Sequence, residues 1–290
     1  MRKVALCLFG LFRSFERVYP LMMKNFVLEE GDILDIFVCT SNYDNHKTRF
    51  KVDQKFYHNK DILEKKIRTI LGSQLKDLLI MDERNCNTNP RCIKSYNALK
   101  LVQKYQDKHN FKYDNIIYHR MDIVFVKWET ADNYYEQRRL GEERLRGVKY
   151  LDRYDFPIGV LEHGCCSIQK IPEDTDVNIR LRDLEDGELI CYEDYYIGHV
   201  PIDFFICNSN LLPTIIEFYH NFINKRYIRF TRNGKRIHSL QSYDKKDKWW
   251  LYEDSNINSL EVQLRVHLEN NGIRISELRF NRDISVLYIR

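Results

Sequence analysis

Val4-Ala-Leu-Cys-Leu-Phe-Gly10 is the stretch that decides the fold. Consecutive apolar residues leave no polar face for solvent, so the run predicts a strand covered on both sides, the environment of a parallel sheet. Gly10 ends it. Outward from there, residues 13–27 predict a helix kinked or restarted at Pro20, and residues 33–40 a second apolar strand running into the polar stretch 41–46. A helix around 61–71 stops at Gly72, and 78–81 gives a third short strand. Residues 91–109 predict a long helix with Cys92, Tyr96, Leu99, Val102 and Tyr105 on one stripe. Residues 115–118 are strand, His119-Arg120-Met121-Asp122 is a polar cluster, and 123–126 are strand again. Strand and helix alternating in this way define an α/β fold with a mainly parallel sheet flanked by helices.

The second half is less regular. Residues 130–195 are charged and loop-rich, with short strands expected near Val148 and Leu189. Strand 202–207, helix 211–224, helix 255–270 with Leu260, Leu264 and Leu268 on one face, and strands 273–280 and 284–289 follow. Residues 225–248, basic and punctuated by Asn233-Gly234, read as a mobile loop. No internal repeat interrupts residues 1–290, which read as one α/β domain with an irregular C-terminal half.

Composition narrows the function. The 46 Lys+Arg against 42 Asp+Glu leave a formal charge of +4 in 290 residues, no signature of a nucleic-acid or anionic-membrane partner. Thirty per cent charged and 13% aromatic residues exclude wholesale disorder. No apolar run reaches the roughly 18–20 residues of a spanning helix. Met1-Arg2-Lys3 and the apolar run after it imitate a signal peptide, but Arg13 and Glu16 interrupt the run and no small-x-small cleavage site follows; a buried first strand is the better reading. The eight cysteines contain no C-x-x-C pair, and Cys7, Cys39, Cys191 and Cys207 lie inside apolar runs. That usage fits free thiols in a reducing cytoplasm.

Open parallel sheets bind ligands beyond the carboxyl ends of their strands. Three such ends carry polar groups: Gly10 to Arg13, Thr40-Ser41, and His119 to Asp122. Neither a G-x-G-x-x-G nor a Walker loop is present. Arg91 and Ser95, four apart at a helix start, share a face beside the unpaired N–H groups that favour phosphate; a solvated helix start is the plainer alternative. Asp122 directly follows an apolar strand and precedes another, where a carboxylate must be paired or bound to a cation. Two readings stand open: a structural pair with Arg120, or a metal or diphosphate site.

Ala5-Leu-Cys-Leu-Phe-Gly-Leu-Phe-Arg-Ser-Phe15, the strand Asp35-Ile-Phe-Val-Cys-Thr40 and the segment Tyr113-Asp-Asn-Ile-Ile-Tyr-His-Arg-Met-Asp-Ile-Val-Phe125 resemble the GT-A-type glycosyltransferases of large DNA viruses and bacterial surface-polysaccharide clusters. Val200-Pro-Ile-Asp-Phe-Phe-Ile206 and Leu260-Glu261 fall where such proteins carry an acidic-aromatic strand and a late glutamate. The resemblance covers most of the chain except 130–195 and 225–248. It implies a GT-A-like, Rossmann-related fold, with residues 1–128 as the nucleotide-binding half and 129–290 as the acceptor-side half. It also implies a nucleotide-sugar donor, a glycan or glycoprotein acceptor, and a location in the cytoplasm, that of the host if the chain is viral. Asp122 matches the second aspartate of the family's D-x-D, which grips Mn²⁺ or Mg²⁺ and through it the diphosphate. Arg120 stands where the first aspartate usually does, which leaves metal dependence open.

Cleaving a sugar–phosphate bond builds negative charge on the departing diphosphate, which fixed positive groups stabilise. Gly10, Arg13, Thr40, Arg91, Ser95 and Arg120 are the candidate donor-binding residues, and Asp122 the candidate metal ligand. An inverting transfer also needs a general base for the acceptor hydroxyl. Asp203, in an apolar strand, is the first candidate and Glu261 the second; a strand-edge carboxylate and a solvated helix carboxylate are the plain alternatives. Asp122→Asn is expected to abolish turnover with little loss of fold. Asp174-Thr-Asp176, His163-Gly-Cys165-Cys166, Trp249-Trp250 and the basic-aromatic run Arg226 to Arg236 are weaker signals for metal, zinc, sugar stacking and single-stranded nucleic acid. A nucleotidyltransferase-like enzyme and a non-enzymatic nucleic-acid or polysaccharide binder are the alternatives to glycosyl transfer.

Overall fold

The computed structural model describes residues 1–12, 15–47, 53–82, 90–127, 177–181, 184–192, 203–224, 231–232, 235–236, 260–278 and 284–288. Their strands are β1 (Lys3–Phe9), β2 (Phe26–Val27), β3 (Ile33–Ser41), β4 (Tyr43–Lys47), β5 (Asp53–Tyr57), β6 (Leu75–Met81), β7 (Asn115–Arg120), β8 (Ile123–Lys127), β9 (Ile179–Arg180), β10 (Glu188–Tyr192), β11 (Phe204–Cys207), β12 (Thr231–Arg232), β13 (Lys235–Arg236), β14 (Arg274–Leu278) and β15 (Ile284–Tyr288). The α-helices are α1 (Phe15–Lys24), α2 (Lys60–Leu71), α3 (Pro90–His109), α4 (Leu212–Ile223) and α5 (Leu260–Asn270).

Seven strands form one sheet in the order β6-β3-β1-β7-β11-β10-β14. Neighbours are parallel except around β11, which runs antiparallel to both β7 and β10. The sheet draws on both halves of the chain, so the irregular second half supplies three of its strands. Alternation along β1 assigns the two faces. Val4, Leu6 and Leu8 pack with α1 and α2 residues such as Val18, Met22, Leu63 and Ile67. Ala5, Cys7 and Phe9 pack with Leu99 of α3, Ile215 of α4 and Leu264 of α5. Both faces are covered, which is why β1 carries no polar residue beyond Lys3.

Local chemistry sets the helix ends. Asn59 caps α2, its Oδ1 accepting from the N–H groups of Asp61 (2.8 Å) and Ile62 (3.3 Å). Gly72, at φ +55°, closes the helix with its N–H on the Arg68 carbonyl. Pro90 opens α3, where a missing N–H costs nothing. Helix α1 carries Pro20 inside it and ends at Lys24, short of the expected 27, because Phe26 and Val27 pair with Ile179 and Arg180.

Several expectations need correcting. The polar stretch after Thr40 enters a hairpin, β4 with β5, which alternation of apolar residues could not reveal. Strand 123–126 does not extend the main sheet; β8 turns away at Met121-Asp122 and pairs antiparallel with β15. Within 225–248, β12 and β13 pair antiparallel, and the rest of that stretch lies outside the described residues. The strand expected near Val148 lies outside the described residues. Cys7, Cys39, Cys92, Cys191 and Cys207 are buried free thiols. No helix among the described residues is long and apolar enough to cross a membrane.

Asn25 staples the layers beneath the site. Fully buried, it donates from Nδ2 to the carbonyls of Phe125 (2.9 Å) and Val177 (3.2 Å), and its Oδ1 accepts the Phe125 N–H (3.0 Å). Asn25→Leu strips those backbone groups of this partner, and the expected cost is roughly 3 kcal/mol, read as a lower urea midpoint. An unchanged midpoint would show that backbone or water replaces the amide.

Candidate functional site

From β1 the chain builds the sheet outward through β3 and β6, then returns to the opposite flank of β1 with β7. The carboxyl ends of β1 and β7 therefore border the topological switch point, where ligands bind in open α/β sheets. Gly10 follows β1 at φ +131°, a conformation that side-chain-bearing residues rarely adopt. A Cβ there would meet Met121 N and Arg120 Cγ only at ordinary contact, 3.6 and 3.7 Å, so the backbone angle rather than space demands glycine. Thr40 Oγ1 donates to the Gly10 carbonyl at 3.0 Å and the Gly10 N–H to the Cys39 carbonyl at 3.3 Å. Thr40 is thus fully buried and holds the turn; it belongs to the frame of the site.

Strand β7 runs one residue pair further than expected, through Arg120, and the Met121 N–H ties the following turn to the Phe9 carbonyl at 2.9 Å. Asp203 immediately precedes β11, whose Phe204 faces His119, and its carbonyl accepts the Arg120 N–H at 2.9 Å. Antiparallel pairing therefore brings together two residues 83 apart in sequence. Arg120 grips Asp122 with one hydrogen bond, Nη2 to Oδ2 at 2.7 Å, and an ion-pair contact of 2.5 Å from Nε to Oδ1, an oxygen that accepts no hydrogen bond; its Nη1 lies 3.5 Å from Asp203 Oδ2. Arg91, the second residue of α3, donates from Nη2 to Asp203 Oδ1. The result is an alternating ladder, Arg91–Asp203–Arg120–Asp122, assembled from three separated segments.

Of the predicted donor-binding residues, Gly10, Arg91 and Arg120 converge here with Asp122 and Asp203. Ser95 does not face the ladder. It is buried, its hydroxyl bonded to the Arg91 carbonyl at 3.0 Å and in hydrogen-bond reach of the buried hydroxyls of Tyr118 and Tyr219. Glu261 stands in the first turn of α5, close enough for its charge to act on the Arg91 guanidinium and the Cys92 thiol. Burial is the main force on that thiol, pushing its pKa up to about 11. Arg13, Asp174, Asp176, His163, Cys165, Cys166, Trp249 and Trp250 lie outside the described residues.

His119 is the residue whose placement the sequence did not reveal. Instead of standing at the strand end it is fully buried, its Nδ1–H donating to the Arg120 carbonyl at 2.7 Å. That bond leaves Nε2 as an unprotonated lone pair with no partner, among the rings of Phe26, Phe125 and Phe204, each met nearly edge-on. Burial lowers its pKa to about 4, outweighing the upward pull of the Arg120 carbonyl and of the Asp122 and Asp203 carboxylates.

The four charges compensate one another, and this bears on the divalent cation that the resemblance implies. Among the described residues no three His, Cys, Asp or Glu side chains converge as metal ligands. Both carboxylates of the ladder already hold a guanidinium where a cation would sit. The described residues do not fit a resident metal at this ladder. They do fit an anion, which the arginines can bind as paired donors. Compared with known proteins, the chain matches no protein-family model, and no curated protein is significantly similar to it in sequence.

Proposed function

We propose that the protein is a GT-A-type glycosyltransferase that moves a sugar from a nucleotide-diphosphate donor to a hydroxyl of a glycan or glycoprotein acceptor. The observation that carries this reading is the convergence of Arg91, Arg120 and Asp203 on the β1/β7 switch point. In the reaction the bond from the anomeric carbon to phosphate oxygen breaks and a bond from that carbon to the acceptor oxygen forms. The departing diphosphate gains charge, which Arg91 and Arg120 stabilise at fixed positions. The proton of the acceptor hydroxyl passes to the Asp203 carboxylate, with Glu261 the second candidate for that role. Asp122 acts through Arg120, holding the Nε–Nη2 edge of its guanidinium. The buried thiols favour a reducing compartment, the cytoplasm.

A thermal-shift screen of UDP- and GDP-sugars is expected to raise Tm with the cognate donor. Asp203→Asn is expected to lower kcat by about 100-fold or more while changing donor affinity far less. A response to nucleoside triphosphates alone would assign the site to a nucleotidyltransferase instead, and a pure loss of donor affinity in Asp203→Asn would remove it as the base.

A further inference from the structure

We infer that this site binds the diphosphate of its ligand through Arg91 and Arg120 without a divalent cation, an inference that rests on the donor-binding reading above. The order of exposure along the ladder favours an anion. The Arg91 side chain is 36% exposed and that of Arg120 14%, against 8% for Asp203 and 3% for Asp122. The two arginine side chains are the more exposed members of the ladder and the two aspartates the more buried. An arriving diphosphate meets positive charge first, whereas an arriving cation meets it as a barrier.

The geometry at Asp122 also disfavours a cation. Arg120 engages both of its oxygens. A cation bound there would have to displace the guanidinium from a carboxylate almost sealed from water, leaving that arginine's charge to be compensated elsewhere in a low-dielectric setting. The two-point grip does something else well: it fixes the guanidinium plane, so that Arg120 meets phosphate oxygens already oriented. Asp122 is therefore a positioning residue for Arg120. Helix α3 adds to the positive side of the site. Arg91 lies in the first turn of the 20-residue α3, whose N-terminal N–H groups add positive potential on the same side.

Titration calorimetry of the full chain with ADP, CDP, GDP and UDP, each in EDTA and in Mn²⁺, tests this directly. The nucleotide that binds is expected to show Kd values within about threefold in the two conditions. Arg91→Gln, at the more exposed end of the ladder, is expected to weaken binding at least tenfold in EDTA. Arg120→Lys is expected to do the same with the circular dichroism spectrum unchanged, because a point charge replaces the two-pronged donor. Binding that appears only with Mn²⁺ and is lost in Asp122→Asn would overturn the metal-free site and leave the glycosyltransferase reading standing. No binding of any of the four in either condition would remove the donor reading and this inference with it.

Discussion

Asp122→Asn is expected to destabilise the fold by about 3 kcal/mol, because the substitution removes one partner of a buried ion pair. This corrects the expectation, drawn from its strand-end position, that the change would spare the fold. Asp122 is 2% exposed, hydrogen-bonded by Arg120 Nη2 and in ion-pair contact with its Nε. An asparagine keeps the shape and one acceptor but not the charge, so Arg120 loses the carboxylate nearest to it. The double variant Arg120→Met/Asp122→Leu removes both charges and is expected to recover stability to within about 1 kcal/mol of the parent, while nucleotide binding stays lost. Urea unfolding of the three proteins reads the first effect and calorimetry the second. Should Asp122→Asn unfold at the parent's midpoint, water or another cation compensates the site and the ladder is not a coupled unit.

Acid sensitivity centred on His119 is the second large effect. The imidazole titrates at about 4 in the folded protein, held down first by burial, against an ordinary value of about 6.5 in the unfolded chain. The unfolded state therefore binds more protons between these values, and stability falls as pH falls. The contribution is fully present above about pH 6.5, declines below it, and levels off once pH passes under the folded value near 4. Between pH 7 and 5 the expected loss is about 2 kcal/mol. Asp122 and Asp203 are the charged groups that oppose this shift, and neither carries the imidazole back to its ordinary value. His119→Leu is expected to remove about that much of the pH dependence of the urea unfolding free energy, whatever it does to stability at pH 7. Equal slopes for parent and variant would assign the acid response to other groups.

His119 lies buried beside Arg120 at the β1/β7 switch point. Its ring supports the Arg120 carbonyl, one bond from the backbone that presents the guanidinium. A buried neutral imidazole there adds no charge to the site, which keeps the balance of two arginines and two aspartates intact.

Much of this was legible from side-chain pattern. A strand buried on both faces must be apolar throughout, so β1, β3 and β7 declared themselves, and the helices between them followed from the 3.6-residue stripe and their caps. Asp122 declared itself for the same reason, as a carboxylate placed where solvent could not reach it, and pairing with Arg120 was one of two readings its sequence position allowed. Ser95 bonds the carbonyl four residues back, as a short hydroxyl near a helix start readily does, and Thr40 bonds the Gly10 carbonyl at the end of the neighbouring strand, a partner that no local pattern reveals. The β4–β5 pairing was invisible because no continuous apolar run or clean alternation marks either strand.

By itself the sequence determined an α/β chain with a mainly parallel sheet, a carboxylate at Asp122 that needed either Arg120 or a cation, and the strand ends that carry polar groups; these follow from local periodicity and from the cost of burying unpaired charge. Only the tertiary structure decided that β11 runs backward beside β7, that β8 leaves the sheet, and that Asp203 joins Arg91 to Arg120. Register between strands far apart in the chain depends on how whole faces pack, and no local pattern encodes which two distant residues will stand opposite one another.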